Sequence, residues 1–182
     1  MNRLLFVASE AYPLIKTGGL ADVAGSLPEA LGQAGLDVRL LLPAYADVLA
    51  SLGQEPPAVA QFGLGDEHIC LRSCLLPGTS VTVLLLDHPL FTGRSGNPYH
   101  NEHGQPWPDN GRRFALLSQV ACALCAGVEA LGWRPDILHG NDWHTGPAIA
   151  LASALPAPPV TVFTVHNLAH MGIFDYDTFA QM

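Results

Sequence analysis

The residues best suited to chemistry form the run Lys16-Thr17-Gly18-Gly19, which separates an apolar run from a helix-like segment. Adjacent glycines let the backbone approach a ligand without a Cβ in the way. The start of a helix adds free N–H groups and a partial positive charge. Lys16 is the only lysine in the chain, which has eight basic residues. The run therefore predicts a phosphate site, the alternative being a solvated lysine beside a turn.

Two more polar clusters follow predicted strands, His139–His144 and His166-Asn167. The carboxyl ends of parallel strands line one edge of a sheet, where ligands bind. We therefore expect His144 and His166 to face the same ligand as the glycine run, with Asp142 orienting His144 or binding a hydroxyl. His139 is interpreted as a hydrogen-bonded core residue.

The elements that must position these groups begin with a strand–helix–strand unit. Leu4–Ala8 and Val38–Leu42 are short apolar runs typical of buried parallel strands. Between them, Leu20–Ala34 has apolar residues at helical spacing, contains Pro28 and is closed by Gly35. The pattern predicts a βαβ unit with a right-handed crossover.

Residues 44–86 change character. A short helix is predicted over Ala46–Leu52. Three strand-like runs follow at Val59–Leu64, Ile69–Leu76 and Val81–Leu86, and glycine-containing turns join them. Such spacing favours antiparallel hairpins and a locally mixed sheet.

The long irregular stretch 87–108 contains the aromatic residues Phe91, Tyr99 and Trp107. A loop of this length within a domain is usually functional or disordered, and its aromatic content argues against disorder. The rings either stack on sugar faces or simply pin the loop to the body.

The second half of the chain continues the α/β alternation. We predict a long helix over Asp109–Leu131 with Asp109 as its N-cap, a short strand over Ile137–His139 and a buried strand over Val160–Val165. Another helix is predicted over Pro147–Leu155. The resulting fold class is α/β, a Rossmann-like, doubly wound, mainly parallel sheet with a hairpin insertion.

The composition excludes several classes of function. Sixteen acidic and eight basic residues give a net charge of −8, which argues against a nucleic-acid partner. No run of about 18 apolar residues is present, so no membrane span is predicted. We expect a cytoplasmic protein with reduced cysteines, in which Cys122 and Cys125 are core residues of a helix.

Two alternatives to a phosphate-binding transferase remain open at this point. His139, Asp142, His144 and His166 are also suitable ligands for a metal-dependent hydrolase. A non-catalytic sugar- or nucleotide-binding module is the second alternative. The glycine run matches neither the dinucleotide fingerprint nor the P-loop, so the residues alone do not distinguish the transferase, the hydrolase and the binding module.

Longer motifs resemble bacterial glycogen synthases and plant starch synthases over essentially the whole chain. The resemblance is carried by these segments: Lys16-Thr-Gly-Gly-Leu-Ala-Asp-Val23, Asn97-Pro-Tyr99, Trp107-Pro-Asp-Asn110, Asn141-Asp-Trp-His-Thr145 and Phe163-Thr-Val-His-Asn167. Met171 stands where that family often has glutamine.

The resemblance implies a retaining glucosyltransferase of the two-domain GT-B type. Such an enzyme transfers glucose from ADP-glucose to the non-reducing end of an α-1,4-glucan and needs no metal or other cofactor. The roles it implies here are catalytic for Asp142 and His166. The substrate-binding residues would be Lys16, Gly18, Gly19, Asp22, Tyr99, His144 and Asn167.

The resemblance also carries an expectation about domain organisation. Members of the family are more than twice as long as this chain. Residues 1–182 are therefore expected to form an incomplete N-terminal, acceptor-side domain that lacks the second GT-B domain. We expect these residues to be inactive by themselves.

Overall fold

The computed structural model describes residues 2–94, 96–176 and 178. In those residues, one seven-stranded sheet is flanked by four α-helices. The strands are β1 (Arg3–Val7), β2 (Asp37–Pro43), β3 (Ala58–Leu64), β4 (Glu67–Leu75), β5 (Thr82–Asp87), β6 (Ile137–Asn141) and β7 (Val160–Thr164). The helices are α1 (Gly19–Gln33), α2 (Ala46–Ser51), α3 (Asn110–Ala126) and α4 (Gly146–Ser153).

The strand order is β3-β4-β5-β2-β1-β6-β7, which confirms the predicted doubly wound α/β class. Strands β5, β2, β1, β6 and β7 run parallel to one another. The chain leaves β1 towards β2 on one side and later returns to pair β6 with β1 on the other side. The carboxyl ends of β1 and β6 therefore flank a topological switch point, where a crevice opens.

The predicted hairpin insertion is confirmed. Strand β4 is antiparallel to both β3 and β5, whereas β5 returns to the core and pairs parallel with β2. Its residues Val83–Leu86 are buried. This insertion lies at the sheet edge remote from β6, so it does not border the switch point.

The helix predicted over Asp109–Leu131 is shorter than expected. Helix α3 ends at Ala126 because Gly127 adopts φ +112, a left-handed conformation that glycine tolerates best. A separate 3₁₀ turn covers Glu129–Leu131. Asp109 does occupy the N-cap position, but its carboxylate binds the guanidinium of Arg94 and not the helix N–H groups.

The prediction of a buried final strand is wrong. In β7, Val160 is 66% exposed and Phe163 is 45% exposed. Strand β7 pairs only with β6 in the described residues and forms the edge of the sheet. An apolar run is typical of a buried strand, but the run cannot indicate whether a neighbouring element covers it.

Of the two helical cysteines, Cys125 is a core residue as predicted, whereas Cys122 lies outside the core cluster. Cys125 is fully buried and Cys122 is partly buried. Burial raises the pKa of the Cys125 thiol to about 12, and it also raises the pKa of Cys122. Neither thiol is therefore an activated nucleophile.

Candidate active-site cleft

A cleft of about 780 Å³ opens at the carboxyl ends of β1, β6 and β7. It lies at the switch point of the sheet, as the sequence predicts. Seven of the nine predicted site residues line it: Gly18, Gly19, Tyr99, Asp142, His144, His166 and Asn167. The long loop between β5 and α3, which includes Tyr99 and Trp107, forms one wall of the cleft.

The other two predicted residues, Lys16 and Asp22, do not line the cleft. They form an ion pair in which the Lys16 ammonium lies 2.6 and 2.8 Å from the two carboxylate oxygens. Both side chains are about half exposed. Lys16 directly precedes the lining residues Thr17 and Gly18 in the chain.

Glu10, which sequence reasoning missed, organises the glycine run. Its side chain is buried, and its Oε2 accepts hydrogen bonds from the Thr17 N–H, the Thr17 hydroxyl and the Gly18 N–H. Two of the N–H groups predicted to receive a phosphate are thus occupied by a carboxylate. The N–H groups left for a ligand begin with Gly19, the first residue of α1.

A hydrogen-bonded chain connects Glu10 with the loop wall. The Tyr99 hydroxyl donates to Glu10 Oε1 at 3.2 Å and lies 2.7 Å from Ser9 Oγ. Ser9 Oγ in turn lies 3.2 Å from His144 Nδ1. Burial raises the pKa of Tyr99 well above its usual range, so its phenol keeps the proton. These contacts join segments that are about 90 and 135 residues apart in the chain.

His144 sits among aromatic rings on the floor of the cleft. Its ring stacks on Tyr99 with centroids 4.8 Å apart, and it packs edge-to-face on Phe114. Burial is the main cause that lowers the pKa of His144 to about 3, and His170 also lowers it. The imidazole is therefore neutral in the folded protein at physiological pH.

The neutral His144 predicts a loss of stability in acid. Since its pKa is 6.5 when unperturbed and about 3 in the folded state, the unfolded chain binds the proton first as the pH falls. The free energy of unfolding then declines by about 1.4 kcal/mol per pH unit below the unfolded pKa. Urea unfolding at about pH 7 and about pH 5 should show a contribution of roughly 2 kcal/mol from this group.

His144→Gln should remove that contribution, so the variant should lose less stability than the wild type between the two pH values. The exposed His103→Gln should retain the wild-type difference. Equal acid sensitivity of the wild type and His144→Gln would contradict the assignment.

Asp142 is the only described non-glycine residue with a left-handed backbone, at φ +57. Such strain marks functional sites when the surroundings impose it. The conformation turns the chain sharply from β6 into a 3₁₀ turn over Trp143–Thr145. It also brings Asp142 Oδ1 to within 2.7 Å of the His166 backbone N–H, so the carboxylate ties the ends of β6 and β7 together.

The ring of His166 is held by Asn141, which is fully buried. The Asn141 amide nitrogen donates to the carbonyl of Val7 and to that of His139. Its oxygen therefore faces His166 Nε2, which lies 3.0 Å away. His139 itself is buried and bonds Thr164, as expected of a core residue.

The segment after His166 closes one side of the cleft. Gly172 adopts φ +59, and a Cβ at that position would lie 2.3 Å from the Trp143 ring. Phe174 packs edge-to-face on the same ring at 5.4 Å. Only glycine permits this approach of the backbone to Trp143. Met171, the residue at which the chain departs from the family pattern, also lines the cleft.

The charged side chains that line the cleft include two carboxylates. Glu10 and Asp142 are its carboxylates, and none of its described lining residues is a lysine or arginine. Throughout residues 2–94, 96–176 and 178, no group of three or more His, Cys, Asp or Glu side chains is arranged to hold a metal ion. The metal-hydrolase alternative therefore gains no support from this geometry.

No helix in the described part of the chain is both long enough and apolar enough to cross a membrane.

The fold and the cleft define an α/β protein with its ligand site at the carboxyl ends of parallel strands. A family model described as the starch synthase catalytic domain matches residues 3–182. The chain belongs to this family.

Similar proteins include glycogen synthases and one solved starch synthase. Glycogen synthase 1 of Methylococcus capsulatus is 51% identical over 180 residues, which cover 99% of this chain and 36% of the relative. Glycogen synthase of Cellvibrio japonicus is 49% identical over 183 residues, covering 100% of this chain and 38% of the relative. The catalytic domain of starch synthase IV from Arabidopsis thaliana, bound to ADP and acarbose, has a TM-score of 0.67 and 26% identity, covering 93% of this chain and 34% of that chain. The chain thus spans little more than a third of the length of these relatives.

Proposed function

We propose that these residues form the acceptor-side half of a glycogen synthase. That enzyme would transfer glucose from ADP-glucose to the non-reducing end of an α-1,4-glucan with retention of configuration. The observation that carries the proposal is the cleft at the switch point, where seven residues of the family motifs meet.

The lining of the cleft suits a sugar. Sugars offer hydroxyl groups to polar side chains and apolar ring faces to aromatic ones. Asp142, His166 and Asn167 supply the polar groups, and Trp107 and Trp143 supply the rings. Because a developing glycosyl cation is stabilised by a nearby carboxylate, Asp142 is the residue that we assign to the reacting carbon. His166 is assigned to the glucosyl hydroxyls, with Asn167 beside it.

The same lining is poorly suited to hold a diphosphate unaided. Two carboxylates and no lysine or arginine line the described cleft. Positive charge must come from Lys16 after it leaves Asp22, and from groups outside these residues. We therefore propose that the chain contributes one wall of the donor site and that a second GT-B domain supplies the other.

The starch synthase neighbour supports the choice of substrates. That protein was solved with ADP and acarbose, a nucleotide and a sugar-like molecule. The proposal transfers both classes of ligand to this cleft. It assigns no cofactor and no nucleic-acid or membrane partner, and it places the protein in the cytoplasm.

Grafting tests the proposed function. The chain replaces the matching third of Methylococcus capsulatus glycogen synthase 1, to which it is 51% identical. We expect ADP-glucose-dependent elongation of maltooligosaccharide by the graft, also in excess chelator, and no elongation by residues 1–182 alone. A folded graft that binds maltooligosaccharide without donor-dependent turnover would favour the sugar-binding module. Hydrolysis of the maltooligosaccharide that is abolished by chelator would favour the metal hydrolase.

Lys16→Ala in the graft tests the phosphate role. The exposed ion pair with Asp22 contributes at most about 1 kcal/mol to stability, so the fold should be retained. Loss of a charge-assisted phosphate contact should raise the KM for ADP-glucose by roughly 10- to 100-fold. Arg112→Ala, which removes an exposed charge that does not line the cleft, is the control. Unchanged donor kinetics in Lys16→Ala would refute the role.

A further inference from the structure

We propose that Glu10 is a positioning residue that fixes which atom donates in each hydrogen bond of the network Glu10–Tyr99–Ser9–His144. It thereby makes His144 Nε2 a hydrogen-bond acceptor. The geometry alone carries this assignment. Only its consequence for a sugar ligand rests on the proposed function.

The assignment starts at the buried carboxylate. An ionised carboxylate has no proton and only accepts hydrogen bonds. Glu10 Oε2 is occupied by the Thr17 and Gly18 donors, and Oε1 lies 3.2 Å from the Tyr99 hydroxyl. The Tyr99 hydroxyl therefore donates its only hydrogen bond to Glu10.

The remaining protons follow in sequence. Since the Tyr99 proton is used, its oxygen accepts from Ser9 Oγ, which lies 2.7 Å away. Because the Ser9 hydroxyl already donates to Tyr99, its oxygen accepts a hydrogen bond from His144 Nδ1, which lies 3.2 Å away. His144 is neutral, so a proton on Nδ1 leaves Nε2 with a free lone pair.

His166 provides the opposite case in the same cleft. Asn141 donates its amide protons to the carbonyls of Val7 and His139, so its oxygen accepts from His166 Nε2. When neutral, His166 is therefore protonated on Nε2 and bare on Nδ1. The two histidines are held in opposite tautomers by two separate buried partners, Glu10 and Asn141.

The consequence for a ligand concerns which hydroxyls the cleft accepts. An unprotonated His144 Nε2 accepts a hydrogen bond from a sugar hydroxyl, whereas a protonated Nε2 donates one and requires an acceptor on the sugar. The carboxylate at the end of β1 thus selects hydrogen-bond polarity on the floor of the cleft. It does so through two intervening side chains.

Glu10→Gln gives a sharp test because it is isosteric and should reverse donor and acceptor in each hydrogen bond between residue 10 and His144. The three loop donors require an acceptor, so the glutamine oxygen should take the place of Oε2 and its amide should point to Tyr99. Tyr99 then donates to Ser9, Ser9 donates to His144 Nδ1, and the proton of His144 moves to Nε2.

Nitrogen-15 NMR of histidine-labelled protein reads the tautomers directly, because an unprotonated ring nitrogen resonates far downfield of a protonated one. His144→Gln assigns the signals. We expect His144 as the Nδ1–H form in the wild type and as the Nε2–H form in Glu10→Gln, with His166 unchanged as Nε2–H in both. The exposed Glu129→Gln should leave both histidines as in the wild type.

An Nε2–H form of His144 in the wild type, or an unchanged Nδ1–H form in Glu10→Gln, would overturn the proposal. If Glu10→Gln does not fold, Tyr99→Phe serves instead. This variant removes the hydroxyl that links Glu10 to Ser9, and it keeps the ring that stacks on His144. His144 should then lose its pure Nδ1–H signal, and an unaltered signal would count against the proposal.

Binding of maltoheptaose to the same proteins separates this proposal from the proposed function. We expect Glu10→Gln to bind about tenfold more weakly than Glu129→Gln, the loss of roughly one hydrogen bond. If the wild type binds no maltoheptaose, the sugar-binding function is contradicted, and the NMR spectra still decide the order of protons.

Discussion

Asp142→Asn is expected to lower kcat of the grafted transferase by about 100- to 1,000-fold, the range seen when one stabilising group is removed from a transition state. Asparagine has the same shape as aspartate, so it adds no steric conflict to the backbone of this position, which has φ +57 and ψ 179, and its side-chain oxygen still accepts the His166 N–H. The His166 N–H donates to Oδ1, so the substitution removes a negative charge and leaves this hydrogen bond intact. The loss should fall on kcat more than on KM, because the charge acts as the sugar becomes cationic.

Steady-state kinetics with ADP-glucose and maltooligosaccharide measure this effect. Asp66→Asn, in the exposed turn between β3 and β4, makes the same change in net charge and should leave both constants unchanged. Equal thermal unfolding of the two variants shows that the fold is retained. If kcat of Asp142→Asn stays within a factor of about two of the wild type, Asp142 has no role at the reacting carbon.

Arg113→Met is expected to lower the free energy of unfolding by about 3 kcal/mol. The Arg113 guanidinium is buried at 1% exposure and donates to the carbonyls of Leu90 and Pro98 and to the side chain of Asn110. Methionine fills a similar volume but leaves these buried acceptors without donors. Since Leu90 and Pro98 belong to the loop that carries Tyr99, the variant should also bind maltoheptaose more weakly.

Arg112→Met is the matched control for this prediction. Arg112 is the adjacent residue on α3, is 57% exposed at its side chain and pairs with Glu67. Loss of an exposed pair should cost less than about 1 kcal/mol. Urea unfolding of both variants measures the difference, and coincident unfolding curves would show that Arg113 does not anchor the loop.

Much of the site was predictable because it depends on local patterns. The apolar runs before the glycine run, before Asp142 and before His166 indicate parallel strands, and parallel strands place their carboxyl ends together. The doubly wound class and the hairpin insertion follow from the same alternation. The family motifs added substrates and roles that spacing alone leaves open.

Other features depend on contacts between distant segments. Glu10 looks like any acidic residue after a strand, and only the folded chain brings Thr17 and Tyr99 to its two oxygens. Arg113 reads as a surface residue on a helix, yet the loop folds over it. The exposure of Phe163 is equally hidden, because an apolar run does not reveal which strand forms the edge.

The sequence alone was thus enough to predict the class of fold, the edge of the sheet that holds the cleft and seven of the residues that line it. These depend on continuous apolar runs, on the 3.6-residue helical spacing and on short motifs, which a single chain displays directly. The folded chain was needed to show that Lys16 pairs with Asp22 outside the cleft lining and that Glu10 accepts from two N–H groups of the glycine run. It also decided the hydrogen-bond chain to His144, because side chains about 90 residues apart can be paired only after the backbone has brought them together.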